Sequence, residues 1–461
     1  MTMESDLIAA IDIGTTKIVA VVGRKTESGG LELLGMESVP STGVKRGVVL
    51  NIEETVAAIR SVLEKVQNNL NIKLEKVYVG IAGQHIRSLQ NKVSRFITDH
   101  SEITKDDVDQ LYRDNFKILI EAGEKIMHVI PQDYKVDNEA GVKQPVGMSG
   151  RRLEGNFHIV LGRIASVNNI QKCIKKVNLE LQGLILEPLA SSHSVLTDDE
   201  KEAGVVLVDI GGGTTDVAVF YDGIIRHTAV IPFGGNVITS DIKHGCSILY
   251  KQAEALKVQY GAAIGERERE DMVVTIPGLD GWEPKEISFR NLSYIIQARM
   301  EEIIDLVHRQ IEKSGFYDKL GAGIVVTGGG ALLRNIDDLI KYRTALDVRI
   351  GIPDRFLKGN IPEKADKPMY ATSIGLLLSA LQKQTSSIGE PELFGDLEPE
   401  PDKVSKETEN KNDQPVSWRD RKKKEKKKKN NAGFTGNLFD GMFDGVKNSL
   451  ASMFDEKDAD M

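Results

Sequence analysis

Residues 205–216 have the sequence VVLVDIGGGTTD, and residues 7–16 repeat the same plan as LIAAIDIGTT. In both stretches an apolar run of strand length ends at Asp-Ile-Gly and is followed by threonines. The chain then returns to apolar runs at residues 18–22 and 217–221. A strand that returns directly as a strand predicts a β-hairpin with the glycine loop at its turn, whereas a P-loop would continue into a helix.

The residue types in these two loops indicate a phosphate ligand. Glycine lets backbone N–H groups approach a polyphosphate closely and adopts the positive φ that we expect such turns to require. The threonine hydroxyls and one lysine add further donors. The predicted phosphate contacts are Gly14, Thr15, Thr16, Lys17, Gly211, Gly212, Gly213, Thr214 and Thr215.

Two acidic residues and a third glycine turn extend the predicted site. Asp12 and Asp209 end the two strands and are expected to hold Mg²⁺ through its waters, because Mg²⁺ dehydrates reluctantly. Gly328, Gly329 and Gly330 follow another apolar run and offer a surface without side chains on which an adenosine can lie. Any one of these turns alone would be an ordinary tight turn. Three of them, two nearly identical, predict a site for ATP with Mg²⁺.

Composition limits the other classes of function. The chain has 461 residues and a formal net charge of -8, so its overall charge gives no indication of a nucleic-acid partner. Its first amino acids lack the basic and apolar segments of a signal peptide, and no apolar run reaches the roughly 20 residues of a membrane span. We therefore expect a cytoplasmic protein. Cys173 and Cys246 match no metal-binding or redox spacing and are interpreted as buried or incidental thiols.

The duplicated Asp-Gly-Thr hairpin with a distant Gly-Gly-Gly turn resembles the actin, sugar-kinase and DnaK-type chaperone superfamily. The resemblance implies a two-domain, duplicated α/β fold. In that superfamily a polar residue on a helix of the first domain orients the attacking water, and LEPLA at residues 186–190 is similar to that element. It nominates Glu187 as catalytic. The alternative is that Glu187 only begins a helix, where its charge is favourable to the dipole.

Five further stretches are similar to one family of this superfamily, the bacterial cell-division protein FtsA. They are GVKRGVV (43–49), VYVGIAGQHI (77–86), IPQDY with PVGMSGRRLE (130–134 and 145–154), LEPLASS (186–192) and RHTAVIP (226–232). The resemblance implies an ATP-binding protein that polymerises at the membrane and tethers FtsZ to the cytoplasmic face of the inner membrane. It also implies that later division proteins are recruited and that any ATPase activity is weak.

The same resemblance implies a division into subdomains. They are 1A (1–84 and 167–203), an inserted α+β subdomain 1C for self-association (85–166), 2A (204–240 and 321–385), and 2B (241–320), which binds the C-terminal peptide of FtsZ. The run at 292–303 is similar to the family's partner-binding helix and gives Arg299 and Glu302 as partner contacts. Lys257 matches the family's nucleoside-facing helix, with a plain surface lysine as the alternative.

Read from periodicity alone, the run that contains Arg299 is a helix that packs on a core and carries solvated charges on its other side. The apolar positions that define this face are Leu292, Ile295, Ile296, Ile303 and Val307.

The composition changes after residue 385. Residues 386–417 are rich in charged residues and predict a disordered linker, and residues 418–430 form a basic segment. On a helical wheel, segment 437–456 places its large apolar side chains in one sector, opposite a polar side. Since this segment follows a linker rather than a core, we expect an amphipathic helix that lies in an anionic membrane surface. The predicted membrane contacts are Leu438, Phe439, Met442, Phe443, Val446, Leu450, Met453 and Phe454.

Two other functions are compatible with the phosphate loops. A sugar-type kinase of the same superfamily would need a catalytic aspartate beside a sugar pocket. A chaperone ATPase would need a folded peptide-binding domain after residue 385. No segment of the sequence indicates either feature.

Overall fold

The computed structural model describes residues 7–26, 30–97, 102–278, 283–353, 357–358 and 365–385. The predicted linker (386–417), basic segment (418–430) and membrane helix (437–456) lie outside these residues. The described part contains two central sheets of similar plan, each flanked by helices, and a smaller sheet inserted in the first half. The predicted duplicated α/β architecture with an inserted subdomain is therefore confirmed.

The first half of the chain forms a central mixed sheet and the inserted sheet. Its elements are β1 (Leu7–Ile13), β2 (Lys17–Lys25), β3 (Leu31–Pro40), β4 (Val44–Lys45), β5 (Val48–Val49), α1 (Ile52–Leu70), β6 (Lys76–Ile81), β7 (Arg87–Phe96), α2 (Lys105–Asp114), β8 (Glu124–Val136), β9 (Glu139–Val142), β10 (Arg152–Arg163), α3 (Ile164–Lys176), β11 (Glu180–Leu186), α4 (Glu187–Val195) and α5 (Asp198–Ala203). The central sheet has the order β11-β6-β1-β2-β3. Ile59 of α1 and Ile174 of α3 are buried against it.

Residues 87–163, which we call the insert, leave the first half after β6 and return at α3. Their strands pair antiparallel in the order β7-β10-β8-β9. Leu111 of α2 packs with Phe157 and Leu153 in a separate buried cluster. Thr104 and Asp107 form a capping box that fixes the start of α2. The insert thus has a core of its own.

The second half repeats the plan of the first without an insert. Its elements are β12 (Val205–Ile210), β13 (Thr215–Tyr221), β14 (Ile224–Ile231), α6 (Gly235–Cys246), α7 (Tyr250–Tyr260), β15 (Val273–Ile276), β16 (Lys285–Ser288), α8 (Phe289–Ser314), β17 (Ile324–Thr327), α9 (Ile336–Thr344), β18 (Val348–Ile350), β19 (Leu357–Lys358) and α10 (Ala371–Thr385). The second central sheet has the order β14-β13-β12-β17-β18. β19 instead pairs with β3 and extends the first sheet.

The two predicted hairpins occupy equivalent places in the two central sheets. β1 pairs antiparallel with β2 and parallel with β6, and β12 pairs antiparallel with β13 and parallel with β17. Each glycine loop lies at the hairpin turn, as predicted. Asp12 and Asp209 therefore come to the same edge of their sheets, at the carboxyl end of a buried strand.

Helices α4 and α10 cross between the two sheets. Ile374 and Leu377 of α10 are buried against the first sheet, while Val195 of α4 is buried against the second. Gly375 lies at the crossing, where an added Cβ would overlap the backbone carbonyl of Ala190. Only a residue without a side chain lets the helices approach this closely, so glycine at this position sets how tightly α4 and α10 pack between the two sheets.

Two simpler observations complete the description. Cys173 is buried and Cys246 is partly exposed, and both are free thiols. Among the described helices, none combines the length and the apolar character needed to cross a bilayer.

The helix crossing predicts an unusual effect of a helical glycine. Glycine to alanine inside a helix normally stabilises by about 0.5–1 kcal/mol. At Gly375 we expect the opposite, a loss of about 1–3 kcal/mol in the free energy of unfolding, because the methyl group has no space. Denaturant unfolding measures this change. Gly183→Ala is the control, since its Cβ would meet only ordinary contacts with Tyr78 at 3.5 Å. Equal stability of wild type and Gly375→Ala would contradict the described packing.

Candidate functional site

Both hairpin turns and the third glycine turn line one cavity of about 420 Å³ that draws its walls from both halves. Among the predicted residues that face it are Asp12, Lys17, Glu187, Asp209 and Lys257. The predicted glycines and Thr15, Thr16 and Thr214 line it as well. Residues from distant parts of the sequence thus meet around a space of the size that a nucleotide-type ligand needs.

The glycines of the two hairpin turns are needed for close approach. The predicted positive φ is wrong for them, because Gly14, Gly211, Gly212 and Gly213 are not among the residues with positive φ. A Cβ at Gly14 would lie 2.8 Å from the Lys17 carbonyl oxygen, and one at Gly213 would lie 2.6 Å from Thr15 Oγ1. The second contact joins one turn to the other. Absent side chains therefore let the two turns meet across the cavity.

The three glycines of the third turn differ in their surroundings. Gly328 has a φ of +83°, and a Cβ there would overlap Asp209 Oδ1. A Cβ at Gly330 would overlap Ile210. Gly329 has nothing within 4 Å of an added Cβ, so this position faces open space. The turn is thus pressed against the second hairpin on two sides and open to the cavity at its middle.

Lys257 is not a plain surface lysine. Its Nζ donates to the carbonyl oxygen of Gly235 at 2.9 Å and to Thr239 Oγ1 at 2.8 Å, and it forms an ion pair with Glu254 at 2.8 Å. The ammonium group is therefore held in place, and its stem forms part of the cavity wall beside Val258.

Asp12 and Asp209 are fixed by hydroxyl groups from the crossing helices. Ser373 of α10 donates to Asp12 Oδ2 at 2.8 Å. Ser191 of α4 and Thr372 of α10 donate to Asp209 Oδ2 at 2.8 and 3.0 Å. The helices that join the two halves thus also orient the two carboxylates. Sequence reasoning missed Thr372 and Ser373, because they stand in no pattern of their own, whereas Ser191 lies in the LEPLASS stretch.

Lys17 is the basic group that lies among these carboxylates. Its Nζ donates to the Met369 carbonyl oxygen at 2.6 Å and lies 4.7 Å from the centre of the Tyr370 ring. Burial lowers the pKa of Lys17, and the charges of Asp12 and Asp209 act against that shift. Because Lys17 follows the first turn directly, its compact charge is available to a ligand bound there.

Glu187 and Asp216 add two further carboxyl groups to the same cavity. Burial, and then the charge of Asp12, raise the pKa of Glu187 well above its ordinary range. Burial, and then the charge of Asp209, raise the pKa of Asp216 in the same way. Asp216 Oδ1 is buried without a hydrogen-bond partner. Glu187 begins α4, as the alternative interpretation holds, but its side chain also lies among three aspartates.

Asp216 was missed as a site residue, although the sequence carried a signal for it. It ends the repeated stretch and lies directly opposite Asp209 in the hairpin register. The pKa values of Asp12 and Asp209 are also raised, chiefly by burial. Within the described ranges, no three acidic, histidine or cysteine side chains are placed to ligate a metal ion directly. The orphaned oxygen and the carboxyl cluster fit a cation that keeps its water shell.

Thr215 is the predicted phosphate contact that does not face the cavity. Its side chain is fully buried, and its hydroxyl donates to the Phe233 carbonyl oxygen at 2.9 Å. Thr215 and Asp216 are successive residues of β13, and since Asp216 faces the cavity, the side chain of Thr215 points to the opposite face. We therefore leave Thr215 out of the proposed contacts.

Arg299 and Glu302 lie on α8, away from the residues that line the cavity. The apolar face predicted for this helix is confirmed, with Leu292 and Ile296 fully buried. The prediction that Arg299 is a solvated charge is wrong. Its guanidinium forms two hydrogen bonds with Asp241 of α6, at 2.6 and 3.1 Å, which hold the side chain against the neighbouring helix.

The raised pKa of Glu187 predicts a change of stability with pH. The ordinary pKa of glutamate is 4.5, so the unfolded chain loses this proton as the pH rises above that value. In the folded protein without a ligand, Glu187 keeps its proton to a higher pH, because its pKa is raised. The unfolded state then binds fewer protons, so the free energy of unfolding falls as the pH rises. Glu187→Gln removes this contribution. Denaturant unfolding at a series of pH values should show the variant gaining stability relative to wild type as the pH rises above 4.5. A difference that falls with rising pH would contradict it.

Comparison with known proteins assigns the chain. Residues 206–375 match the family described as "Cell division protein FtsA", and residues 83–161 match the "SHS2 domain inserted in FTSA". The cell division protein FtsA of Pseudomonas aeruginosa is 40% identical over 83% of this chain and 91% of its own length. FtsA of Escherichia coli is 35% identical over 80% of this chain and 89% of its own length.

Two solved structures share the fold at low sequence identity. The PilM-PilN type IV pilus biogenesis complex has a TM-score of 0.59 at 14% identity and covers 81% of this chain and 98% of its own. MreB 5 of Spiroplasma citri, bound to AMPPNP, has a TM-score of 0.50 at 16% identity, with coverages of 83% and 98%. The family matches and the long, well-covered relatives show that this chain belongs to the FtsA family of cell-division proteins.

Proposed function

We propose that the chain is an ATP-dependent adaptor of cell division, which binds ATP with Mg²⁺ in the cavity between its halves. One observation carries this proposal. The two glycine hairpins, the third glycine turn and the carboxyl groups of Asp12, Glu187, Asp209 and Asp216 all line a single cavity. The structure of MreB 5, which shares the fold and holds AMPPNP, an ATP analogue, supports the choice of ligand.

The cavity offers a different group to each part of the ligand. The backbone N–H groups around Gly14 and Gly211–Gly213, together with Lys17, would bind the phosphates. Asp12, Asp209 and Asp216 would hold the waters of Mg²⁺, which supplies positive charge to the phosphates and offsets the buried carboxylates. The nucleoside would lie over Gly329 and beside the wall formed by Lys257.

Hydrolysis has a secondary place in this proposal. Glu187 is the candidate that orients a water molecule for attack. Burial, and then the neighbouring aspartates, raise its pKa, which favours the protonated form that cannot accept a proton from water. In this proposal the bound nucleotide serves chiefly to control the closure of the two halves and the assembly of the protein.

Assembly and tethering are proposed for other parts of the chain. The insert would serve self-association. Arg299 and Glu302 on α8 would contact the C-terminal peptide of FtsZ, with Asp241 orienting the arginine. Residues 437–456 would hold the protein on the cytoplasmic face of the inner membrane, and later division proteins would be recruited there. Membership of the FtsA family supports these assignments.

The nucleotide site is tested by removing one strand-end carboxylate. Asp209→Ala should weaken Mg²⁺-dependent binding of ATP by about a hundredfold, because it deletes a charged group at the phosphate end. Titration calorimetry with and without Mg²⁺ measures the effect. Asp199→Ala, an exposed aspartate on α5, is the matched control. An unaltered affinity of Asp209→Ala would remove this residue from the site.

The membrane anchor is tested by adding one charge to either side of the proposed helix. Phe443→Asp places it in the apolar sector and should reduce pelleting with anionic liposomes to background. Asn448→Asp adds the same charge on the polar side and should pellet nearly as wild type. If both variants pelleted with the liposomes to the same extent as wild type, the proposed anchor would be contradicted.

The same assay tests the partner contact. A peptide with the C-terminal sequence of FtsZ should pellet with the liposome-bound protein and be lost with Arg299→Glu. Asp241→Asn, which keeps the arginine but loosens it, should give an intermediate result. Full retention of the peptide by Arg299→Glu would exclude this helix as the contact.

A further inference from the structure

The insert is attached to the first half but docks on the second. Strand β14, the edge of the second central sheet, contacts β7 and β8 of the insert. Ser88 Oγ donates to the Thr228 carbonyl oxygen at 3.0 Å, and the buried Gln132 side chain donates to the Ile225 carbonyl oxygen. Arg226 of β14 forms an ion pair with Asp133 at 3.2 Å. This docking covers a sheet edge and links the two halves outside the cavity.

A buried histidine lies in the middle of this interface. Gln90 Nε2 donates to the Arg226 carbonyl oxygen at 3.1 Å and lies 3.3 Å from His158 Nδ1. Nδ1 therefore accepts, and Nε2–H donates to Thr228 Oγ1 at 2.9 Å. The side chain of His158 is almost fully buried. Polar contacts of this kind are specific in geometry, so they are made or lost together when the insert shifts.

The turn that leads into the insert is linked to the first phosphate hairpin through Gly47. The Gly47 N–H donates to Thr15 Oγ1 at 3.0 Å. Gly47, with a φ of +71°, presses on Gly83, where an added Cβ on Gly47 would lie 2.7 Å from the Gly83 Cα. Gly83 has a φ of +114° and lies in the turn that leads from β6 into β7. These two contacts, between Thr15 and Gly47 and between Gly47 and Gly83, therefore join the first hairpin turn to the start of the insert.

At its far side, the insert reaches the second phosphate hairpin through one strand pair. β14 pairs with β13 so that Ile231 lies opposite Thr215 and Val230 lies opposite Asp216. Val230 also packs against the first-half core cluster that contains Ile86 and Met127. A continuous path of contacts thus runs from one phosphate turn, through the insert, to the other.

We propose that the insert is a clamp across the nucleotide cleft, whose docking on β14 is tightened by nucleotide binding and must loosen for nucleotide release. The inference rests on the proposed nucleotide site. Opening the cleft moves β14 relative to the first half. The insert is covalently part of that half, so it must either separate from β14 or turn at Gly83. Nucleotide state would thereby set the orientation of the insert and hence of the surface proposed for self-association.

The coupling must act in both directions, since a binding free energy shared by two sites is reciprocal. If nucleotide strengthens docking, weaker docking weakens nucleotide binding by the same factor. Ser88→Ala and Gln132→Ala each remove one hydrogen bond to β14 and touch no residue of the cavity. Each should weaken the binding of a fluorescent ATP analogue by up to about fivefold, the effect of one hydrogen bond, and the loss should appear mainly as faster release. Arg113→Ala on α2 is the control, because its exposed side chain pairs only within that helix.

Hydrogen exchange of the full-length protein supplies the second measurement, at a concentration where light scattering shows no assembly. Mg-ATP should slow exchange in β7 and β14 as well as in the phosphate turns, and Ser88→Ala should lose the slowing in β7 and β14 alone. If wild type binds no nucleotide, both the proposed function and the clamp are wrong. If it binds nucleotide but β7 and β14 exchange unchanged, or both docking variants release the analogue at the wild-type rate, only the clamp is overturned.

Discussion

The burial of the carboxyl groups of Asp12, Asp209, Asp216 and Glu187 in one cavity is the constraint on which the rest of the structure depends. Asp12, Asp209, Asp216 and Glu187 share a cavity with Lys17 and are all shifted toward their protonated forms. Isolated buried charges are costly, so such a cluster persists only where hydroxyl donors, a cation or protons offset it. In this chain α4 and α10 supply the hydroxyl donors to Asp12 and Asp209, so the helices that pack between the two sheets also offset part of this cost. The same two helices therefore pack the halves together and stabilise the carboxylates of the cavity.

The same helices give the cleft its mechanical character. The contact of Gly375 with Ala190 fixes the crossing at one end of the interface between the halves, and the docking of the insert on β14 fixes another part of it. A movement that widens the cavity cannot leave both unchanged. An adaptor that responds to nucleotide needs such a choice between two arrangements, because a continuously deformable body would not convert occupancy into a defined surface.

Much of this was predictable from the sequence, and the failures have physical reasons. The hairpins followed from strand runs interrupted by Asp-Ile-Gly, and the buried face of α8 followed from its periodicity, because both signals are local. Thr372 and Ser373 were missed since their role exists only once α10 is brought to the two aspartates. The sequence could not distinguish the adjacent threonines, whereas in the structure Thr214 lines the cavity and the Thr215 hydroxyl donates to the Phe233 carbonyl oxygen. Arg299 was taken as solvated because its partner, Asp241, lies on another helix.

The two hairpins share one register but differ in one residue pair that the repeat conceals. Asp12 lies opposite Val19 in the first hairpin, whereas Asp209 lies opposite Asp216 in the second. The backbones are related by an approximate repeat, but the second carries an additional acid where the first carries a hydrocarbon. Gly328 and Lys257 also belong to the second half. The two halves are thus related by an approximate repeat but differ in the charges that they present to the cavity. An elongated ligand that contacts both halves therefore binds in one orientation, because the reversed orientation would place its groups against the wrong residues.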